Sequence, residues 1–170
     1  MEAGLSWRLN LGSGQRPFGK PFINVDVQER WKPDLVADCT HLPYADGSCD
    51  MIVLHHVLEH FGCGEGQGLI GEAWRLLAPS GSLLVFVPDM RALAQRWLLG
   101  QLDTETYMIN MYGAYMGDEH DRHRWGFTKV TLELELCGCE WSEMKTFDWR
   151  QVPGADIAKD WWVLAIEAVR

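Results

Sequence analysis

Chemistry has few places to happen in this chain. The first is a Gly12-Ser13-Gly14 turn behind a short apolar stretch that carries Leu9, Asn10 and Leu11. Glycines there let the backbone fold tightly and approach a ligand where side chains would collide. Asp26-Val27 closes the next apolar stretch, and a carboxylate in that place can accept both hydroxyls of a ribose. Asp38-Cys39 closes a third, shorter one. His55 and His56 follow the apolar run DMIVL, and His123 stands with Asp121 two residues before it and Trp125 two after. Imidazole titrates at about pH 6.5, so His56 or His123 can take a proton from a hydroxyl at neutral pH.

The elements that must position these groups follow from periodicity and punctuation. Residues 8–11 and 22–26 read as strands, with only 10 residues between them, Gly12 to Pro21. Pro17, Gly19 and Pro21 interrupt that connection, so no crossover helix is expected there and at most one turn forms. Residues 34–37 and 50–54 give two more strands, and HVLEH is expected to open a helix that Glu59 and His60 cap and pack. Leu69, Ile70, Ala73, Leu76 and Leu77 recur at spacings of 3 and 4, which predicts a helix over 68–78. Pro79-Ser80-Gly81 is expected to end it before a fifth strand, LLVFVP. One helix follows from Met90 to Leu99. A second carries Tyr107, Met108, Met111, Tyr112, Tyr115 and Met116 at helical spacing, a stripe that reads as core. Residues 128–138 carry two patterns. Leu132, Leu134 and Leu136 alternate as in a strand, yet Thr128 can cap a helix, Leu132 and Leu136 are i and i+4, and Gly138 can stop it. We read a helix. Residues 141–149 and 160–169 complete the set as two strands.

The pieces RLNLGSG, INVDV, ADCTHLPYADGSCDMIV, VLEHF and RLLAPSGSLLVFVPD stand in this order over residues 8–90. Together they resemble the class I S-adenosylmethionine-dependent methyltransferases, in particular the small methyltransferase-type-11-like branch. DEHDRHRWGFT resembles the segment before the last helix of that branch. The resemblance implies a Rossmann-like α/β fold. Its seven-stranded sheet is mostly parallel with an antiparallel C-terminal hairpin, and helices lie on both faces. Residues 1–170 would form a single domain with 90–127 as a lid or substrate insert. It implies S-adenosyl-L-methionine as cofactor, held by Asn10, Gly12, Ser13, Gly14, Asp26, Val27, Asp38, Cys39 and His55. It implies in-line methyl transfer to a small-molecule or sugar-type acceptor, with His123 and His56 as catalytic candidates. Two departures stand out: Asn10 occupies a place where the family often has an acid, and the first crossover helix is missing. Gln15 or Arg16 then becomes the group expected to meet the cofactor's carboxylate. These departures also leave room for a non-catalytic cofactor-binding scaffold of the same fold.

Other classes fit worse. A dinucleotide fingerprint needs a third glycine where this chain has Pro17, and an acid later than Asp26. Net charge −9 and a pI near 5.0 argue against a nucleic-acid partner. No apolar run approaches the ~20 residues of a membrane span. MEAGLSWRLN shows no basic region followed by an apolar core, so no secretory signal and a cytoplasmic location are expected. Cys39, Cys49, Cys63, Cys137 and Cys139 form no CxxC pair, so reduced thiols and no metal site are expected. Nine tryptophans leave room for an aromatic homo-oligomer interface.

Overall fold

In the computed structural model, which describes residues 6–114, 118–148 and 162–170, the strands are β1 (Trp7–Leu11), β2 (Phe22–Asp26), β3 (Leu35–Val36), β4 (Cys49–His55), β5 (Leu77–Pro88), β6 (Glu143–Thr146) and β7 (Val163–Val169). Among the described residues these seven make one sheet in the order β3-β2-β1-β4-β5-β7-β6. Every pair from β3 across to β5 is parallel, and β7 runs antiparallel to both β5 and β6. The chain leaves β1 towards β2 and β3, then returns to add β4 on the other side. The sheet's switch point therefore lies between the carboxyl ends of β1 and β4, where ligands of open α/β sheets bind.

The helices are α1 (Gly66–Leu76), α2 (Met90–Leu98), α3 (Thr104–Tyr112) and α4 (Lys129–Leu136). Strand residues alternate between two cores. Leu9, Leu11, Ile52, Leu54, Val85 and Val87 face one side, where Leu69, Ile70, Ala73 and Leu76 of α1 and Leu132 and Leu136 of α4 cover them. On the other side Phe22, Val53, Leu84, Phe86 and Ala165 pack with Phe18 from the β1–β2 connection. Asn24 pins that connection in place of a helix. Its Oδ1 accepts the Phe18 N–H at 2.7 Å, and its Nδ2 donates to the Phe18 carbonyl at 2.9 Å. Asp34 Oδ2 accepts both the Asn24 backbone N–H and Nδ2.

Three local expectations change. VLEHF forms only a 3-10 turn at Leu58–His60, and α1 begins at Gly66, because the run FGCGEG is poor helix former. Strand β5 pairs from Leu77, opposite Cys49, and resumes at Ser82 opposite Met51 across an irregularity, so Pro79-Ser80-Gly81 bulges inside the strand. Helix α3 buries none of its residues, and Met108 and Tyr112 are exposed, so the Met/Tyr stripe is a surface there. Tyr115, Met116 and Gly117 lie outside the described residues. No helix among the described residues is long and apolar enough to cross a membrane.

Helix α4 settles the double pattern at 128–138. Thr128 and Thr131 form a reciprocal cap, and Leu132 and Leu136 are fully buried while Leu134 is exposed. Thr128→Ala is expected to lower unfolding free energy by about 0.5–2 kcal/mol in denaturant titration, the usual worth of such a cap. An unchanged midpoint would mean that the cap carries no weight.

Candidate active site

The glycine turn leaves β1 in left-handed backbone, with φ of +64° at Gly12 and +48° at Gly14. Residues with a side chain seldom adopt that region. The Ser13 N–H donates to the Val25 carbonyl at 3.0 Å, and the Gly14 N–H donates to Asp26 Oδ2 at 2.8 Å. Asp26 Oδ1 accepts the Gln28 N–H at 2.8 Å. The buried Asp26 carboxylate thus joins the end of β2 to the turn after β1. Each of its oxygens retains a further acceptor direction. Val27 beside it is exposed.

Beyond β3, Asp38 Oδ1 accepts both the N–H and the hydroxyl of Thr40, and these bonds hold its carboxyl below the usual carboxylate range. Asp38 is therefore an Asx-type cap of its own turn. Burial pushes the Cys39 thiol up to about 12, helped by the Asp26 and Asp38 charges, although the Gly12 N–H bonds the sulfur. Cys39 is neutral at physiological pH. The structure thus brings Gly12, Gly14, Asp26, Asp38 and Cys39 to one edge.

Asn10 and Asn24 stand opposite each other in the β1–β2 register, and Asn10 Nδ2 donates to Asn24 Oδ1 at 2.9 Å. His55 ends β4 on the same face, its ring edge-on to Phe86 at 5.4 Å and to His56 at 4.9 Å. Burial, then the charges of His56 and Arg16, lower the His55 pKa to about 3. Arg16 therefore lies close enough to His55 for its charge to act on the ring. Four buried side-chain atoms have no hydrogen-bond partner among the described residues: Asn10 Oδ1, Ser13 Oγ, His55 Nε2 and Glu59 Oε2.

His56 takes a left-handed φ of +55°, and its Nδ1 meets Glu59 Oε1 at 2.9 Å. His123 comes from the segment between α3 and α4. Its N–H donates to the Tyr112 carbonyl, and Arg124 and Trp125 donate theirs to the Glu59 carbonyl. A side chain at Gly113 would overlap the Asp121 carbonyl, so that glycine lets the segment cross closely. Burial lowers the His123 pKa, so the ring is neutral at pH 7. Although Asp121 stands two residues before it in the chain, His123 Nδ1 bonds the Asn110 carbonyl at 2.9 Å.

Glu59 is the residue whose surroundings differ most from the sequence reading. Expected to cap a helix, it is instead 1% exposed and sits among His56, His60 and His123. Burial pushes its carboxyl up, but the His56 hydrogen bond and the three imidazoles outweigh that and lower it. The available signal was the spacing of His56, Glu59 and His60 directly after a central strand.

An open sheet of this order, with a glycine turn at its switch point and an acid closing β2, defines an α/β fold of the doubly wound kind, whose ligand sites lie at that switch point. Residues 20–85 match the family described as a methyltransferase domain. A SAM-dependent methyltransferase from Archaeoglobus fulgidus superposes with a TM-score of 0.65 at 16% identity, over 98% of this chain and 87% of that one. One from Methanosarcina mazei gives 0.61 at 15% identity, over 100% and 94%. The 1,6-didemethyltoxoflavin-N1-methyltransferase of Burkholderia thailandensis, solved with 1,6-didemethyltoxoflavin and S-adenosylhomocysteine bound, gives 0.58 at 16% identity, over 98% and 72%. At these identities the likenesses establish the fold. No curated protein matches the chain by sequence. Residues 20–85 thus carry a methyltransferase-domain match, and the chain has the fold of the S-adenosylmethionine-dependent methyltransferases on which it superposes.

Proposed function

We propose that the chain binds S-adenosyl-L-methionine across the glycine turn and transfers its methyl group to a small-molecule or sugar-type acceptor. The carrying observation is the set of partnerless buried atoms, Asn10 Oδ1, Ser13 Oγ and His55 Nε2, on residues that flank Gly12 in the chain or end β4 at the switch point. Protein interiors leave few polar atoms unpaired, and each costs about 1–3 kcal/mol. A ligand rich in amino and hydroxyl groups supplies such partners. Asp26 keeps acceptor directions for ribose hydroxyls, Val27 offers an apolar surface for a base, and Arg16 a cation for a carboxylate. The Burkholderia neighbour, named for a small heterocyclic substrate, is in keeping with a small acceptor.

When bound, the cofactor supplies a methyl group already activated on a sulfonium. The chain's own residues then have to orient the acceptor, exclude water and accept a proton. Two imidazole nitrogens are suited to the last task. His123 Nδ1 carries its proton towards the Asn110 carbonyl, which leaves Nε2 basic. His56 Nδ1 faces Glu59, which likewise leaves Nε2.

Calorimetry with S-adenosylhomocysteine, with NAD as control, tests the reading. The chain is expected to bind the former and not the latter. Asp26→Ala is expected to weaken S-adenosylhomocysteine binding by about 1–3 kcal/mol, roughly 5–150-fold, since charge-assisted acceptors are lost. Unchanged affinity in a folded variant would remove Asp26 from the site. Formation of S-adenosylhomocysteine in the presence of acceptor panels separates an enzyme from a scaffold of the same fold.

A further inference from the structure

The fourth partnerless atom, Glu59 Oε2, does not belong with the glycine turn. The Glu59 side chain lies beside His60 and His123, and one ligand atom from each of the three side chains lies within 4.8 Å of the other two. The two rings meet edge to face, with centroids 4.9 Å apart. His60 Nδ1 bonds the Arg122 carbonyl at 3.2 Å, and His123 Nδ1 bonds the Asn110 carbonyl at 2.9 Å. A carbonyl can only accept, so in both rings Nδ1 carries the proton and Nε2 keeps its lone pair. Metal-ligating histidines are fixed in this way, the far nitrogen donating to a backbone carbonyl. Glu59 Oε1 is taken by His56 Nδ1 at 2.9 Å, an outer partner that orients the carboxylate, while Oε2 is left buried and unpartnered among the described residues.

We propose that Glu59, His60 and His123 form a three-ligand site for a divalent transition-metal ion of the zinc class. Two neutral imidazoles and one carboxylate suit zinc, cobalt, nickel or iron better than calcium or magnesium, which favour all-oxygen shells. Ligand atoms around a tetrahedral zinc stand ~3.3 Å apart, given bonds of ~2.0–2.1 Å, so a spread of up to 4.8 Å closes with small ring rotations. A divalent ion also compensates the buried Glu59 charge. The expectation of no metal rested on cysteine spacing; this site uses no cysteine and joins residues 59–60 to 123. Three protein ligands leave a position open for water or an acceptor oxygen. That last use rests on the methyl-transfer reading, whereas the metal site itself does not. With the ion in place His123 Nε2 is committed to it, and His56 Nε2 remains as the proton acceptor.

The test uses the full chain, stripped with chelator and titrated with Zn2+ by calorimetry and with Co2+ by visible absorption. One equivalent is expected to bind, with the intense bands of four- or five-coordinate Co2+. His60→Ala and His123→Ala are each expected to weaken binding by more than the ~10–100-fold that loss of an outer partner costs, and His56→Ala by about that amount. Cys63→Ser and Cys137→Ser, at exposed thiols, should change nothing. His60 is half-buried, so His60→Ala should keep its far-ultraviolet dichroism and its S-adenosylhomocysteine affinity, which reports the cofactor reading independently. Binding weaker than ~100 μM, binding that survives loss of both histidines, or binding abolished by the cysteine changes would overturn the site.

Discussion

Gly12→Val is expected to leave no measurable affinity for S-adenosylhomocysteine, a loss of more than ~100-fold, or about 3 kcal/mol. Two effects act at that position. The backbone stands at φ +64°, where a β-branched residue is strained by on the order of 1–3 kcal/mol. A Cβ there would also lie 2.6 Å from Val57 Cγ2 and 3.1 Å from Cγ1, and Val57 is buried beneath the turn after β4. Relief requires the turn to move away from β4, which displaces the Gly12 N–H, Ser13 and the Gly14–Asp26 bond together. The sequence suggests that a side chain here would fill ligand space; the structure makes Val57 the first obstacle. Gly14 differs, since a Cβ there meets nothing closer than the Gly12 carbonyl oxygen at 4.0 Å. Gly14→Ala should therefore cost only about 1 kcal/mol of backbone strain and retain measurable binding. Calorimetry on both variants, with dichroism near wild type, checks the contrast. Normal binding by a folded Gly12→Val would place the pocket elsewhere.

The half of the site around Gly12 was legible because its causes are local. A glycine pair after an apolar strand, and an acid ending the next, fix their own places once the strands pair in register. The half around Glu59 was hidden because it joins positions more than 60 apart in the chain. Nothing in HVLEH says that His123 will be carried back over it, since that depends on Gly113 and on the bonds of Arg124 and Trp125 to the Glu59 carbonyl. The leucine alternation at 132–136 misled in a different way. Period alone cannot tell a strand from a helix of eight residues; the reciprocal Thr128–Thr131 cap and the burial of Leu132 and Leu136 decide it. In α3, likewise, helical spacing identified the element correctly, but spacing shows only that residues share a face and not what covers that face.

Stability should fall steeply between about pH 6.5 and pH 4.5, before most carboxylates titrate. His55 is the main cause. Burial among Phe86, Phe18 and His56, with the charges of His56 and Arg16, takes its pKa from 6.5 to about 3. Unfolded, the ring binds a proton near pH 6.5; folded, it stays neutral until near pH 3. In that interval the unfolded chain holds more protons, so unfolding free energy decreases as pH falls, by on the order of 1.4 kcal/mol per pH unit. That amounts to about 3 kcal/mol by pH 4.5, a large share of the ~5–15 kcal/mol of an ordinary domain. His123 shifts in the same direction, again mainly through burial, and steepens the slope. Below about pH 4.5 the lowered carboxyls of Asp34, Asp38 and Glu72 add to the loss in the same sense, since they too bind protons more readily when unfolded. His55→Phe removes the titrating ring while keeping an aromatic among aromatics, and should flatten the interval to the part due to His123. Urea unfolding at closely spaced pH values, on wild type and variant, reads both slopes. A wild-type profile that stays level from pH 6.5 to 4.5 would mean that His55 is protonated in the folded chain. A buried cation would then need a partner for His55 Nε2, the atom on which the cofactor reading depends.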